Sequence, residues 1–180
     1  MSAGLDRGRI LGDSTARVWF IMVSDFQCPY CKQFHDESFA ALQKDYVANG
    51  KVRMAYVNFP LPIHQNAWPA AEAAMCAGAQ GKFWPMHDVL FASQDAWAEQ
   101  HPAGRAIDSL ASSVGVDTVA LDRCVAQHAS KGLIDADIDR AEHAGARSTP
   151  TVIIGTRVLI GVQPTANYRR ALDSALAAAK

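Results

Sequence analysis

The amino-acid sequence predicts an α/β fold in which a βαβ unit, a run of helices and a ββα unit follow one another. Three patterns support this order: an apolar run before residue 25, an alternating run after residue 50, and two short apolar runs around a glycine near residue 155. The 180 residues are 49% hydrophobic and 19% charged, which suffices to bury a core.

Charge and hydropathy exclude two classes of protein. The formal net charge is −1, so no electrostatic attraction draws the chain to nucleic acid or to an anionic membrane. The longest strongly apolar stretch, residues 18–23, is far shorter than the roughly 20 residues that a membrane-spanning helix needs. We therefore expect neither a nucleic-acid-binding protein nor an integral membrane protein.

The first βαβ unit begins with residues 17–24, whose β-branched and aromatic side chains predict a strand buried on both faces. Residues 30–47 carry apolar side chains at mixed intervals of three to five and are followed by Asn49–Gly50, which predicts a helix. Residues 51–59 alternate and predict a second strand. Its expected inner face consists of Val52, Met54, Tyr56 and Asn58.

The remaining elements follow the same reasoning. Residues 63–145 contain alanine-rich segments at helical spacing, broken by glycines and prolines, and predict four or five helices and no strand. Residues 151–154 and 158–160 flank the turn Gly155-Thr156-Arg157, which predicts a β-hairpin. Residues 164–179 predict a last helix with a proline near its start.

The chemistry is concentrated in Cys28-Pro29-Tyr30-Cys31, at the junction of the first strand and helix. Residues three apart at a helix start lie on one face, so the two sulfurs can reach bonding distance. The helix N-terminus stabilises a thiolate and lowers a cysteine pKa from about 8.5 toward the range of about 3.5–7.5. A stabilised thiolate is also a good leaving group, so the pattern favours thiol–disulfide exchange.

The cysteine pair has two possible roles besides redox exchange. The pair could be half of a zinc site with His35 as a third ligand, but the sequence has no second Cys-x-x-Cys and no paired histidines to complete it. It could also be a buried structural disulfide. No nucleotide-binding glycine motif occurs, so no cofactor is predicted. The six histidines show no metal-ligand spacing, so no metal is predicted either.

Three segments carry a family resemblance: FIMVSDFQCPYCKQFH at residues 20–35, QGKFWPMHDVLF at residues 80–91 and STPT at residues 148–151. They resemble, in this order, the active-site segment, the helical insertion and the cis-proline loop of the DsbA-like proteins of the thioredoxin superfamily. The resemblance covers about residues 8–178 and implies a thioredoxin fold with an inserted all-helical subdomain. The thioredoxin-like domain would comprise residues 8–62 and 146–180, and the insertion residues 63–145.

The resemblance also assigns roles to single residues. It implies that Cys28 is the exposed nucleophile and Cys31 its buried partner, and that Pro29 and Tyr30 shape the helix start. It further implies a cis bond at Pro150 beside the pair. The preceding residue, Thr149, would offer its backbone to an extended substrate.

One position departs from the family pattern. Many thioredoxin-like proteins carry a buried carboxylate six residues before the first cysteine, where this sequence has Met22. Asp25 lies nearer to the pair, in the turn, where its ordinary role is to accept backbone N–H groups. A functional substitution by Asp25 is the alternative. His35 likewise either occupies a helix face or tunes the thiolate.

Cys76 and Cys124 lie in apolar segments of the predicted insertion. As free thiols they would be small buried hydrophobic residues. The resemblance suggests a structural disulfide instead, because some DsbA-like proteins have one in this region.

The cysteine pair and the resemblance together imply a thiol:disulfide oxidase that acts as a monomer on reduced or unfolded exported proteins and is reoxidised by a partner. The alternatives are a reductase or isomerase using the same cysteines, and a thioredoxin-like peptide-binding module. The polar start of the chain has no signal-peptide pattern, so we expect either an extracytoplasmic protein in its processed form or a cytoplasmic one.

Overall fold

The computed structural model describes residues 6–179, and over this range one sheet organises the fold. Its strands are β1 (Ile10–Leu11), β2 (Val18–Ser24), β3 (Val52–Asn58), β4 (Thr151–Ile154) and β5 (Arg157–Ile160). Their order in the sheet is β1-β3-β2-β4-β5. β2 runs parallel to β3 and antiparallel to β4, so the βαβ and ββα units join at β2.

The helices pack on this sheet and form the insertion. The first helix, α1, is continuous and combines α-helical stretches at Pro29–Phe34 and Ala40–Leu42 with π-helical turns at His35–Phe39 and Gln43–Val47. The others are α2 (Ala67–Gly78), α3 (Phe83–Ala92), α4 (Gln94–Trp97), α5 (Gly104–Ser113), α6 (Thr118–Ala126), α7 (Lys131–His143) and α8 (Thr165–Ala178). α8 packs against β2, β4 and α1, whereas α7 packs against β3.

The predicted order of elements is confirmed, with three differences. Residues 63–145 contain six helices, because the four-residue α4 is too short to show a periodicity of its own. β1 was not predicted, since two residues carry no pattern and the strand exists through its pairing with β3. In the hairpin, Arg157 belongs to β5 and pairs with Ile154 rather than forming part of the turn.

The two faces of the sheet are covered unequally. The predicted inner face of β3 is confirmed, because its four residues are all buried. The prediction that β2 is buried on both faces is wrong in its first half, where Trp19 and Ile21 are only half-buried. On that face α7 covers the end of the strand near Val23, and the Arg53 guanidinium lies 4.1 Å over the Trp19 ring.

A buried ion pair ties α7 and the start of the chain to the end of β3. Asp137 is 1% exposed and accepts a hydrogen bond from the Arg9 guanidinium. The same carboxylate oxygen accepts the backbone N–H and the side-chain amide of Asn58, each at 3.0 Å. A buried charge needs such partners, because an unpaired one costs several kcal/mol.

We expect Asp137→Ala to lower the free energy of unfolding by about 3 kcal/mol, because it removes the buried partner of the Arg9 charge and leaves that charge only the half-exposed Asp6. Chemical denaturation monitored by circular dichroism would measure the change. Asp139→Ala, at an exposed position on the same helix, is the matched control and should change stability by less than about 0.5 kcal/mol. Equal effects of the two variants would contradict the role of the pair.

A disulfide joins two helices of the insertion. Cys76 in α2 and Cys124 in α6 are bonded, with a Cα–Cα distance of 5.9 Å and a sequence separation of 48 residues. Of the two states considered from the sequence, the structure has the disulfide. Such a link removes loop-closure entropy from the unfolded chain and thereby stabilises the fold.

Replacing both cysteines, as in Cys76→Ala/Cys124→Ala, should lower the free energy of unfolding by about 4 kcal/mol for this loop length. Denaturation without reductant would measure it, and proteolysis of the unreduced wild-type protein should give one cross-linked peptide pair. Complete alkylation of Cys76 and Cys124 in unreduced protein would show that the bond is absent in solution.

Candidate active site

The cysteine pair lies where β2 ends and α1 begins. Cys28 has an extended backbone, with φ −71° and ψ 123°, and immediately precedes Pro29, the first helical residue. The Cys28 carbonyl accepts the N–H groups of Cys31 and Lys32, both at 3.1 Å. Proline suits the first helical position, because its missing N–H would have no partner there. The pair therefore stands at a helix start, as the sequence predicts.

Asp25 closes the turn between β2 and α1. Its Oδ1 accepts the N–H of Gln27 at 2.8 Å, and its Oδ2 accepts the N–H of Leu61 at 2.9 Å. The same Oδ2 lies 2.7 Å from Nδ1 of His64, a residue to which no motif in the sequence points. Burial raises the pKa of Asp25, although these hydrogen bonds oppose the effect. Asp25 thus accepts backbone N–H groups, as the sequence predicts, and its carboxylate also contacts the His64 imidazole.

Cys28 differs from the expected exposed nucleophile, because only 3% of its surface is accessible. The loop at Thr149 covers it, and its thiol donates to the Thr149 carbonyl oxygen over 3.6 Å. A hydrogen bond from the Cys31 thiol is the largest influence on Cys28 and helps to lower its pKa to about 6. The Thr149 hydroxyl and the N–H groups at the start of α1 act in the same direction, whereas burial opposes them.

Cys31 has the opposite character. It is 1% exposed, and its sulfur accepts the backbone N–H of Asp25 over 3.5 Å. Burial, and after it the neighbouring Cys28, raises the pKa of Cys31 well above its ordinary range. Met22 is also buried, at 3% exposure, so an apolar side chain occupies the strand position where the resemblance would place an acid. Both cysteines are free thiols within reach of each other.

The loop at residues 148–150 faces the pair from the other side. The Thr149–Pro150 peptide bond is cis. The Pro150 carbonyl accepts the N–H of Gly161 at 2.8 Å, which ties the loop to the end of β5. An open cleft lies between this loop and α1, lined by residues that include Tyr30, Gln33, Thr149 and Gln163. Tyr30 is 62% exposed at its edge, so the structure brings Tyr30, Thr149 and the cysteines together.

The insertion braces the turn before Cys28. The Gln94 side-chain amide donates to the carbonyl of Phe26 at 2.7 Å and to that of Cys28 at 3.1 Å. The Phe26 ring stacks on Tyr56, with 4.8 Å between centroids, and lies 5.2 Å from that of Phe91. Gln94 has no local signal in the sequence, because its partners are 68 and 66 residues away.

His35, whose role the sequence leaves open, faces the insertion. Its Nδ1 lies 3.0 Å from Asp36, its Nε2 lies 3.5 Å from Asp88, and its ring stacks on Phe91. The nitrogen and oxygen atoms of His35, the buried His87 and Asp88 lie within 4.8 Å of one another, which is close enough for the three residues to share a metal ion. Hydrogen bonds explain this proximity, since Nδ1 of His87 lies 2.8 Å from Asp88, and we assign no metal to them.

Comparison with known sequences agrees with this geometry. The model of the family described as Thioredoxin matches residues 5–174. A protein named Na(+)/H(+) antiporter NhaA 3, from Salinispora tropica, is 34% identical over 97% of this chain. The chain spans only 26% of that relative's length. Disulfide bond formation protein D of Bacillus subtilis is 25% identical over 83% of this chain and 68% of its own length.

Solved structures share the fold. The oxidised form of BdbD from Bacillus subtilis superimposes with a TM-score of 0.85 at 23% identity, covering 95% of this chain and 94% of that one. Wolbachia pipientis alpha-DsbA1 superimposes with a TM-score of 0.84 at 20% identity, covering 95% and 92%. Among the described residues, no helix has the length and apolar character needed to cross a membrane.

We expect brief alkylation of the reduced protein to label Cys28 before Cys31, because only Cys28 forms a thiolate near neutral pH. The labelling rate should rise with pH through about 6, as Cys28 loses its proton, and level off above that value. Peptide mass spectrometry after short exposure to iodoacetamide measures both. Preferential labelling of Cys31, or a midpoint near the ordinary cysteine pKa of about 8.5, would overturn the assignment.

Proposed function

Because this chain belongs to the thioredoxin family, we propose that it is a thiol:disulfide oxidoreductase with Cys28 and Cys31 as its redox pair. The predicted DsbA-like resemblance and the thioredoxin fold with a helical insertion are confirmed by the family match and the shared fold. The cysteine roles and the direction of exchange are our proposal, argued from the site.

The observation that supports this function is the opposite shift of two neighbouring thiols. The pKa of Cys28 is lowered to about 6, so this thiol is a thiolate at neutral pH, whereas that of Cys31 is raised. A low pKa makes Cys28 both an attacking group and a good leaving group. Stabilisation of the reduced form also makes the disulfide more oxidising, which favours an oxidase.

In the oxidase cycle the pair starts as a disulfide. A substrate thiolate attacks the Cys28 sulfur, a mixed disulfide forms, and Cys31 leaves as a thiolate that takes up a proton. A second thiolate of the substrate attacks the first substrate sulfur, and Cys28 leaves as a thiolate. The substrate has lost two electrons to the pair, which a partner that accepts electrons from thiols must reoxidise.

The cleft beside Cys28 suits an extended substrate. Ser148 and Thr149 border it, and a backbone segment laid along this loop could pair with the Thr149 peptide groups. We propose that reduced or unfolded exported proteins bind there, and that the protein works as a monomer. Dithiol oxidation of this kind belongs to an oxidising, extracytoplasmic compartment.

Two other functions use the same site. A reductase would keep the pair reduced and run the exchange in reverse, and an isomerase would do so while reshuffling disulfides. A peptide-binding module would not need two thiols with opposed pKa values.

Equilibration with glutathione buffers decides among these functions. The oxidised fraction of the Cys28–Cys31 pair would be measured by alkylation and mass spectrometry, with Cys31→Ser as the control that cannot form the bond. We expect a reduction potential of about −120 mV, the value of strong oxidants. A reduction potential of about −270 mV would indicate a reductase. A pair that does not exchange with glutathione would indicate the peptide-binding module.

A further inference from the structure

The insertion reaches the turn before Cys28 through one buried side chain. Gln94, the first residue of α4, is 4% exposed, and its amide donates to the carbonyl of Phe26 at 2.7 Å and to that of Cys28 at 3.1 Å. Among the described residues, no other group donates to the Phe26 carbonyl. A single amide thus holds two peptide planes, the one that follows Phe26 and the one that follows Cys28.

Two further amides hold the segment that carries Gln94. The side chain of Gln27 donates to the Ala98 carbonyl at 2.7 Å and accepts the backbone N–H of Asn66 at 2.6 Å. The Asn66 amide donates to the carbonyls of Ala98 and Gln100, at 2.9 Å and 2.7 Å. These bonds anchor the segment both to the turn and to the start of α2, so the Gln94 amide acts from a fixed support.

The orientation of the Cys28 carbonyl decides which groups meet the Cys28 sulfur. Besides the Gln94 amide, this carbonyl accepts two N–H groups of the first turn of α1, each at 3.1 Å. Together these bonds fix the extended backbone of Cys28, and in this conformation the N–H groups of Tyr30 and Cys31 hydrogen-bond to its sulfur. Such donors favour the thiolate over the thiol, so a change in the orientation changes the acidity of Cys28.

From this geometry we propose that Gln94 is a positioning residue of the thiol pair, which holds the Cys28 carbonyl so that the N–H groups of α1 stay directed at the Cys28 sulfur. The inserted subdomain thereby sets the acidity and the reduction potential of the pair, acting through the backbone of the turn. The effect on exchange rests on the function proposed above, whereas the effect on the acidity of Cys28 does not require exchange.

Loss of the Gln94 donor should shift both properties in a fixed direction. The thiolate loses part of its stabilisation, so the pKa of Cys28 rises from about 6 toward its ordinary value. A rise of about one unit weakens the stabilisation of the reduced pair at pH 7 about fivefold, because the protonated fraction grows from about one tenth to about one half. At about 30 mV for a tenfold change, the reduction potential becomes about 20 mV more negative.

Two measurements on Gln94→Met test the proposal, since methionine is an unbranched side chain of similar length without a donor. The ultraviolet absorbance of the thiolate, followed in the reduced protein from pH about 4 to 8, gives the pKa of Cys28. Cys31 and Tyr56, titratable groups that interact with Cys28, stay neutral over this range because burial raises their pKa values. Equilibration with glutathione buffers gives the reduction potential.

Asn66→Ala is the matched control, because it also removes a buried amide that donates to two carbonyls, those of Ala98 and Gln100, and it leaves the Cys28 carbonyl untouched. Both variants should melt at a lower temperature than the wild type. Only Gln94→Met should raise the pKa of Cys28, by about one unit, and make the potential more negative. The same shift in Asn66→Ala would mean that loosening of the insertion suffices, and would overturn the role of Gln94.

An unchanged pKa of Cys28 in folded Gln94→Met would also overturn the proposal. If that variant does not fold, Gln94→Asn takes its place, because its amide is one methylene group too short to reach both carbonyls. An unchanged pKa in that variant has the same consequence. A wild-type pair that does not exchange with glutathione would instead refute the proposed function, and the titration of Cys28 would still decide the role of Gln94.

Discussion

The site depends on one buried carboxylate. By accepting the N–H groups of Gln27 and Leu61 and contacting His64, Asp25 joins the end of β2, the turn before α1 and the loop after β3. These bonds fix the path of the chain between β2 and α1 together with those of Gln94, and the Asp25 N–H in the same turn contacts the sulfur of Cys31. A residue that looks like a turn former in the sequence thus positions the whole thiol pair.

The sequence determines the order of elements and the helix start at Pro29, because both depend on local periodicity and on the chemistry of proline. It misses what comes from distant partners. The burial of Cys28 depends on Thr149, which is 121 residues away, and the pairing of Asp25 with His64 spans 39 residues. The expected turn role of Asp25 is present, since it uses neighbouring N–H groups. The domain boundaries stay a prediction.

The helical insertion is part of the active site rather than an appendage. Gln94 holds two carbonyl groups of the turn, and Phe91 packs against Phe26 within it. The disulfide between Cys76 and Cys124 fixes the two helices α2 and α6. Solved structures at 20–23% identity keep the same fold, so the fold itself tolerates wide changes of sequence.

The π-helical turns of α1 explain the uneven spacing of its apolar residues. Phe34 and Phe39 are both buried, although five residues of an ideal α-helix would turn them about 140° apart. The turn at His35–Phe39 contains one residue more than an α-helical turn and brings both rings to the core. Such a turn accommodates a one-residue insertion at the place where it arose. An alignment with a relative that has a regular helix should therefore show a one-residue gap after the cysteines. Because the extra residue lies after Cys31, the thiol pair keeps its position relative to β2.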